Sequence, residues 1–155
     1  MSDTRYLEDF RVGETFETAA RTLTLETATE FARLWDPQPF HTDPDGARSH
    51  PVFQGLAASG YLTMAFMHRL IVDAEIGHAW GLVGKEIDHV RWKRPVRPGE
   101  TLRVLGRVAE IEADPRRPIG TMAVDLETIN ERDEVLMTMR VRIVVPQRSA
   151  ALAAE

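Results

Sequence analysis

Gly55-Leu56-Ala57-Ala58-Ser59-Gly60-Tyr61-Leu62-Thr63-Met64-Ala65-Phe66-Met67-His68-Arg69-Leu70-Ile71-Val72-Asp73 is the stretch on which the fold turns. Its apolar residues leave no polar face before His68 and Arg69. A helix that is apolar on nearly every side is expected to be surrounded by protein. The small residues at its start (Gly55, Ala57, Ala58, Ser59, Gly60) permit close approach of another backbone. The run free of Lys, Arg, Asp and Glu extends from Ser49 to His68. His50, Pro51, Gln54, Gly55 and Gly60 make that run a poor membrane span, so no membrane partner is expected.

After this helix the periodicity changes from helical to two-residue. Ile87-Asp88-His89-Val90-Arg91-Trp92 reads as a strand ended by Pro95 and the Pro98-Gly99 turn. Leu102, Val104, Gly106 and Val108 alternate, as do Met122, Val124 and Leu126. Val135 to Val145 gives the longest alternating run. Asp114-Pro115-Arg116-Arg117-Pro118 and Asn130-Glu131-Arg132-Asp133 supply the turns. Before the helix, a Thr-rich strand follows the Val12-Gly13 turn. Leu25, Ala28, Phe31, Ala32 and Trp35 then recur at helical spacing, with Thr24 as N-cap. Pro37 and Pro39 stop that helix. The segment from Asp36 to Pro51 reads as a structured loop with one short helix begun at Asp43-Pro44. One long buried helix followed by an antiparallel meander is an α+β pattern. A single sheet buries such a helix by curling around it, and its open edges favour pairing with a second copy.

The chain has 155 residues, which suits one domain. We place that domain at 1–148 and expect 149–155 to be a frayed tail. With no cysteine, disulfides, thiolate metal sites and a cysteine nucleophile are excluded. The charged N-terminus has no apolar core of a secretory signal, and a cytoplasmic location is the natural default. A net charge of −5 gives no invitation to nucleic acid. Residues 91–107 depart from that balance, with six basic side chains against Glu100 alone. Such a patch suits an anionic ligand, although a solvated strand face is the simpler reading.

The residues with chemistry in them are Trp35-Asp36-Pro37-Gln38-Pro39-Phe40-His41-Thr42-Asp43. A carboxylate beside an imidazole can position and deprotonate one water, then return a proton elsewhere. The two prolines reduce the entropy cost of holding both side chains in place. Spacing alone is equally compatible with an ordinary Asp-Pro turn and a histidine bonded to a loop carbonyl. His41, Asp43 and Asp45 lack the later Glu of a calcium loop, and no metal is expected. Ser59 lacks the Gly-x-Ser-x-Gly elbow of a serine hydrolase.

Asp36-Pro37-Gln38-Pro39-Phe40-His41-Thr42-Asp43 resembles the Asp-x-Asn-Pro-x-His-x-Asp signature of the MaoC-like dehydratases, a family that includes the (R)-specific enoyl-CoA hydratases. Phe53-Gln54-Gly55-Leu56-Ala57-Ala58-Ser59-Gly60 resembles that family's approach to its central helix. Arg91 to Leu102 resembles its strand after the helix. The resemblance implies a hotdog fold, a long helix wrapped by a curled antiparallel sheet, assembled as a homodimer or higher oligomer. It implies reversible hydration of a trans-2-enoyl thioester to an (R)-3-hydroxyacyl thioester. Asp36 and His41 take the two catalytic positions. Gly55, placed at the helix N-terminus, offers its N–H to the thioester carbonyl. Ser59 and Thr63 are candidate substrate contacts, and Gln38 supports the loop. The substrate is an acyl-CoA, with acyl carrier protein as the alternative carrier, and no cofactor is expected beyond coenzyme A as part of the substrate.

Two departures stand out. Gln38 replaces the usual Asn and is one methylene longer. Trp35 replaces the usual Gly and is read as completing the core face of its helix. Two other functions fit a hotdog chain, a thioesterase and a non-catalytic acyl-thioester-binding subunit. The absence of Asp and Glu from Gly55 to Met67 weighs against the first, and the presence of both Asp36 and His41 against the second.

Overall fold

The computed structural model describes residues 4–149. Apart from Ser149, the expected tail lies outside the described residues. A short 3-10 turn, Leu7–Asp9, precedes two brief strands, β1 (Thr15–Glu17) and β2 (Arg21–Thr22). Three helices follow, α1 (Leu25–Trp35), α2 (Pro39–Thr42) and α3 (Pro44–Ala47). The long helix α4 (Gly60–Asp73) leads into four strands, β3 (Val83–Trp92), β4 (Thr101–Ala113), β5 (Ile119–Ile129) and β6 (Val135–Pro146). The strands form one antiparallel sheet in the order β1-β4-β5-β6-β3, with β2 also on β4.

The alternating residues lie as their period requires. Leu102, Val104, Val108, Met122, Val124, Leu126, Met137, Met139, Ile143 and Val145 are buried and pack with Leu62, Phe66, Met67, Leu70 and Ile71 of α4. This is the helix in a curled sheet that the resemblance implied. The Thr-rich segment is two strands and not one, β1 and β2, separated by residues 18–20.

Two expectations about helix burial do not hold within the single chain. Tyr61, Ala65, His68 and Val72 form an exposed stripe one side of α4, so the helix is not enclosed all round. Among the described residues strand β3 pairs with β6 alone and is exposed at nine of its ten residues. An edge strand lacks a second layer of contacts, which is why Val83, Ile87 and Trp92 stay open. Trp35 is likewise 75% exposed and does not complete the core face of α1. It is the last residue of α1, whose buried residues are Ala28 and Ala32. Among the described residues no helix is long and apolar enough to cross a membrane.

Candidate active site

Thr24 caps α1 by accepting from the Thr27 N–H, as the sequence indicated. The helix ends at Trp35, and Asp36 leaves it in a non-helical conformation. The Asp36 N–H still donates to Ala32 O, so the carboxylate projects from a fixed point. The next segment holds more helix than expected. Pro39 is the first residue of α2, where its fixed φ is favourable and its missing N–H costs nothing. His41 therefore sits on a short helical turn and not on a free loop. Asp43 then caps α3, accepting from the Asp45 N–H, as expected at Asp43-Pro44.

These turns bring Asp36 and His41 together. His41 Nε2 lies 3.4 Å from Asp36 Oδ2, with side chains 6% and 14% exposed. His41 Nδ1 is 2.7 Å from the carbonyl of Ala57. A carbonyl only accepts, so Nδ1 carries the hydrogen, and in the neutral ring Nε2 presents its lone pair toward the carboxylate. Phe40 lies edge-on to the imidazole at 4.5 Å, and Phe53 packs against both rings.

Asp36 is held from two sides. Gln38 Nε2 donates to Oδ1 at 2.8 Å and Ser59 Oγ donates to Oδ2 at 2.7 Å. Burial opposes the charge on Asp36. The hydrogen bonds from Gln38 and Ser59, and the charge of His41 when its ring is protonated, outweigh it, and the carboxyl titrates below its ordinary range. Asp36 is thus a carboxylate near neutral pH. Gln38, despite its extra methylene, reaches the carboxylate it follows.

Helix α4 begins at Gly60 with Ser59 as N-cap, five residues later than the resemblance suggested. Gly55 is therefore not at the helix N-terminus. It lies in an irregular segment with φ +154°, next to Gln54 at φ +51°. Both are conformations that L side chains rarely adopt, and a glycine relieves the strain at one of them. Ser59 is fully buried. Its hydroxyl serves Asp36 as donor and the Tyr61 N–H as acceptor, which ties the start of α4 to the end of α1. A cavity of about 490 Å³ opens beside the pair, walled by Asp36, His41, Phe53, Gly60, Thr63 and Trp92 among others. Gly55 and Ser59 are not in its wall. Thr63 is, but its hydroxyl is taken by the Ser59 carbonyl one turn back at 3.2 Å. A larger apolar cavity of about 710 Å³ follows α4 past Met64, Met67 and Ile71 toward the inner face of the sheet.

Three of the six basic side chains of residues 91–107 are engaged. Arg94 pairs with Glu134, and Arg103 with Glu17 and Asp133. Arg97 does something the sequence reading did not foresee: its guanidinium donates to the carbonyls of Phe53, Gly55 and Leu56. A lone Arg in a Pro-rich turn carries no signal of a partner more than 40 positions away. No group of three or more His, Asp or Glu side chains among the described residues is placed to hold a metal.

Ser59→Ala separates its two roles. We expect the Asp36 carboxyl to titrate higher, read by carbon-13 NMR of the carboxyl group, because one stabilising donor is gone. Loss of the cap is expected to cost about 1 kcal/mol of stability, read by denaturant unfolding. An unmoved Asp36 titration would mean that the Ser59 contact does not stabilise the carboxylate.

An antiparallel sheet curled about one long helix, with a buried Asp–His pair beside the start of that helix, is a hotdog protein of the hydratase and dehydratase type. Residues 9–131 match the model of the MaoC like domain, and the chain belongs to that family. It resembles a solved MaoC-like dehydratase from Rhodospirillum rubrum with TM-score 0.88 and 36% identity, covering 93% of this chain and 98% of that one. It shares the fold of the R-hydratase PhaJ1 from Pseudomonas aeruginosa, with TM-score 0.71 and 23% identity over 92% of this chain and 86% of that one. A protein of Bacillus subtilis strain 168, uncharacterized protein YdeM, is 29% identical over 128 residues, 82% of this chain and 89% of the relative.

Proposed function

We propose that this protein hydrates trans-2-enoyl thioesters reversibly to (R)-3-hydroxyacyl thioesters. The observation that carries this reading is the convergence of the Asp36 carboxylate and His41 Nε2 at 3.4 Å beside an open cavity. Two acceptors so placed suit one water that donates a hydrogen to each. As the water oxygen bonds to C3 of the enoyl group, one of its protons passes to the pair. The double-bond electrons move toward the thioester oxygen, and as that charge returns C2 takes a proton from the pair, which restores it to its starting state. In the reverse direction C2 loses a proton and the C3 hydroxyl leaves as water.

The developing charge on the thioester oxygen needs aligned donors. The Gly55 N–H takes that role in this reading. Among the described residues neither the Gly55 nor the Leu56 N–H donates to a protein acceptor. The apolar cavity along Met64, Met67 and Ile71, on the same helix as Thr63, suits an aliphatic acyl group. Coenzyme A is the carrier we favour, with Lys93 at the cavity mouth as a cation for its phosphates. No cofactor takes part. The open β3 edge and the exposed Tyr61–Val72 stripe of α4 support a homodimer.

The test is loss of the ultraviolet absorbance of the conjugated enoyl thioester on mixing with crotonyl-CoA, repeated over a panel of longer and branched enoyl-CoAs. We expect absorbance loss without release of free thiol. Thiol release in its place would point to a thioesterase. Saturable binding with no turnover across the panel would point to an acyl-thioester-binding subunit.

A further inference from the structure

We propose that Arg97 is a positioning residue for the reaction: its guanidinium holds the backbone carbonyls of Phe53, Gly55 and Leu56 in the shape that orients His41 and leaves the Leu56 N–H, next to that of Gly55, free for the thioester oxygen. This rests on the hydratase reading of the same site.

The segment from Phe53 to Ala58 has no regular structure, yet it is bonded on both sides. Toward the catalytic pair, Ala57 N–H donates to Phe40 O at 3.1 Å and Ala57 O accepts from His41 Nδ1 at 2.7 Å. Toward the β3–β4 connection, Ala58 N–H donates to Val96 O at 2.8 Å. Arg97 fills the rest of that side. Nη1 donates to Gly55 O and Leu56 O, each at 2.9 Å, and Nη2 donates to Phe53 O. Three carbonyls converging on one planar cation is an arrangement that a free chain would not hold. Their dipoles repel, and two of the residues involved, Gln54 and Gly55, have positive φ.

The consequence follows from peptide geometry. In a trans peptide the C=O of one residue and the N–H of the next point in opposite directions. Every peptide bond described here is trans. With Gly55 O turned to Arg97, Leu56 N–H is turned away from it. With Leu56 O turned to Arg97, Ala57 N–H is turned away, and it meets Phe40 O. A cation on the carbonyl also polarises the peptide and strengthens its N–H as a donor. The same guanidinium thus aligns the Leu56 N–H and the Leu56–Ala57 peptide, and the residue that follows, Ala57, carries the carbonyl that sets the hydrogen and the orientation of the His41 ring.

Arg97 is itself well anchored. Its own N–H donates to Glu100 Oε2 at 2.6 Å. Glu100 is buried, and its other oxygen accepts from Asn130 Nδ2 at 3.0 Å and Arg132 Nη2 at 3.2 Å. A lysine cannot reproduce the contact, because its ammonium is a compact point charge with no fork to span three carbonyls.

The rival role for a cation in this basic stretch is a direct bond to the carrier's phosphates. Arg97→Ala and Arg97→Lys separate the two when each is assayed with crotonyl-CoA and with crotonyl-pantetheine, which lacks the nucleotide. We expect kcat to fall about 10–100-fold on both thioesters alike, with KM changing less than about threefold, because a misplacement of the order of 1 Å costs about that much. Methylguanidinium is expected to restore part of the Arg97→Ala rate and none of the rate of Arg97→Lys. A rise in KM confined to crotonyl-CoA would overturn the proposal in favour of a phosphate contact. An unchanged kcat per folded molecule, with only a lower melting temperature, would overturn it in favour of a purely structural role.

Nitrogen-15 NMR of the His41 ring decides the matter independently of turnover. In the wild type the neutral ring should carry its hydrogen on Nδ1 alone, and in folded Arg97→Lys it should show a mixture of tautomers. An unaltered ring in the variant would sink the idea. If the wild type hydrates no enoyl thioester, the hydratase reading fails while this comparison still decides whether Arg97 sets the His41 ring.

Discussion

Asp36→Asn and His41→Ala are each expected to lower crotonyl-CoA hydration by about 100-fold or more, the usual worth of a positioned acid or base. The fold should survive both. Asn preserves the shape of Asp36 and can accept from one of Gln38 and Ser59, with its amide NH2 facing the other, but it cannot take a proton from water. His41→Ala removes the Nε2 partner and leaves Ala57 O without its donor. Because the two groups act on one water, their effects should not add, and the double variant should be little worse than the poorer single one. Full activity in both single variants would remove the Asp–His mechanism. Circular dichroism and thermal melting of the same samples check that activity and not folding was lost.

The Asp36 carboxyl also leaves a mark on stability. Its folded pKa lies below the ordinary value of 3.8. The carboxylate's share of stability is therefore fully present above that value and is lost as the pH falls through the lower folded value. The margin of wild type over Asp36→Asn in stability should shrink in that acidic window and be constant above it.

Leu102→Ala carries the largest expected effect on stability. Leu102 has no exposed surface and lies in β4, in the same core cluster as Leu62, Phe66 and Met67 of α4. Truncation removes buried methyl groups and leaves a void that the curled sheet closes only in part. We expect a loss of about 2–5 kcal/mol, read as a lower urea midpoint with an unchanged slope at fixed protomer concentration. A loss under about 1 kcal/mol would mean that neighbouring side chains collapse into the space.

Much of this architecture was readable from the residues. The two-residue alternation in β4, β5 and β6 places one set of side chains on one face whatever the rest of the chain does. Thr24 and Asp43 capped helices where local chemistry demanded it. The pairing of Asp36 with His41 came from the resemblance to the family's signature, since their spacing alone fits an ordinary Asp-Pro turn equally well. Sequence could not locate the true start of α4. Gly55 and Gly60 both precede an apolar run, and choosing between them depends on Ser59, whose hydroxyl is directed by Asp36, 23 positions earlier.

Composition and period alone therefore determined an antiparallel sheet around an apolar helix, and the short motif determined which carboxylate and imidazole to pair. Tertiary structure decided what these residues touch. It left Trp35 outside the core, opened one stripe of α4, turned Ser59 toward Asp36, and set Arg97 on three distant carbonyls. The physical reason is the range of the forces. Backbone period, caps and prolines act within a few residues and are written locally. A hydrogen bond between side chains or carbonyls more than 20 positions apart exists only once the chain has closed around its core.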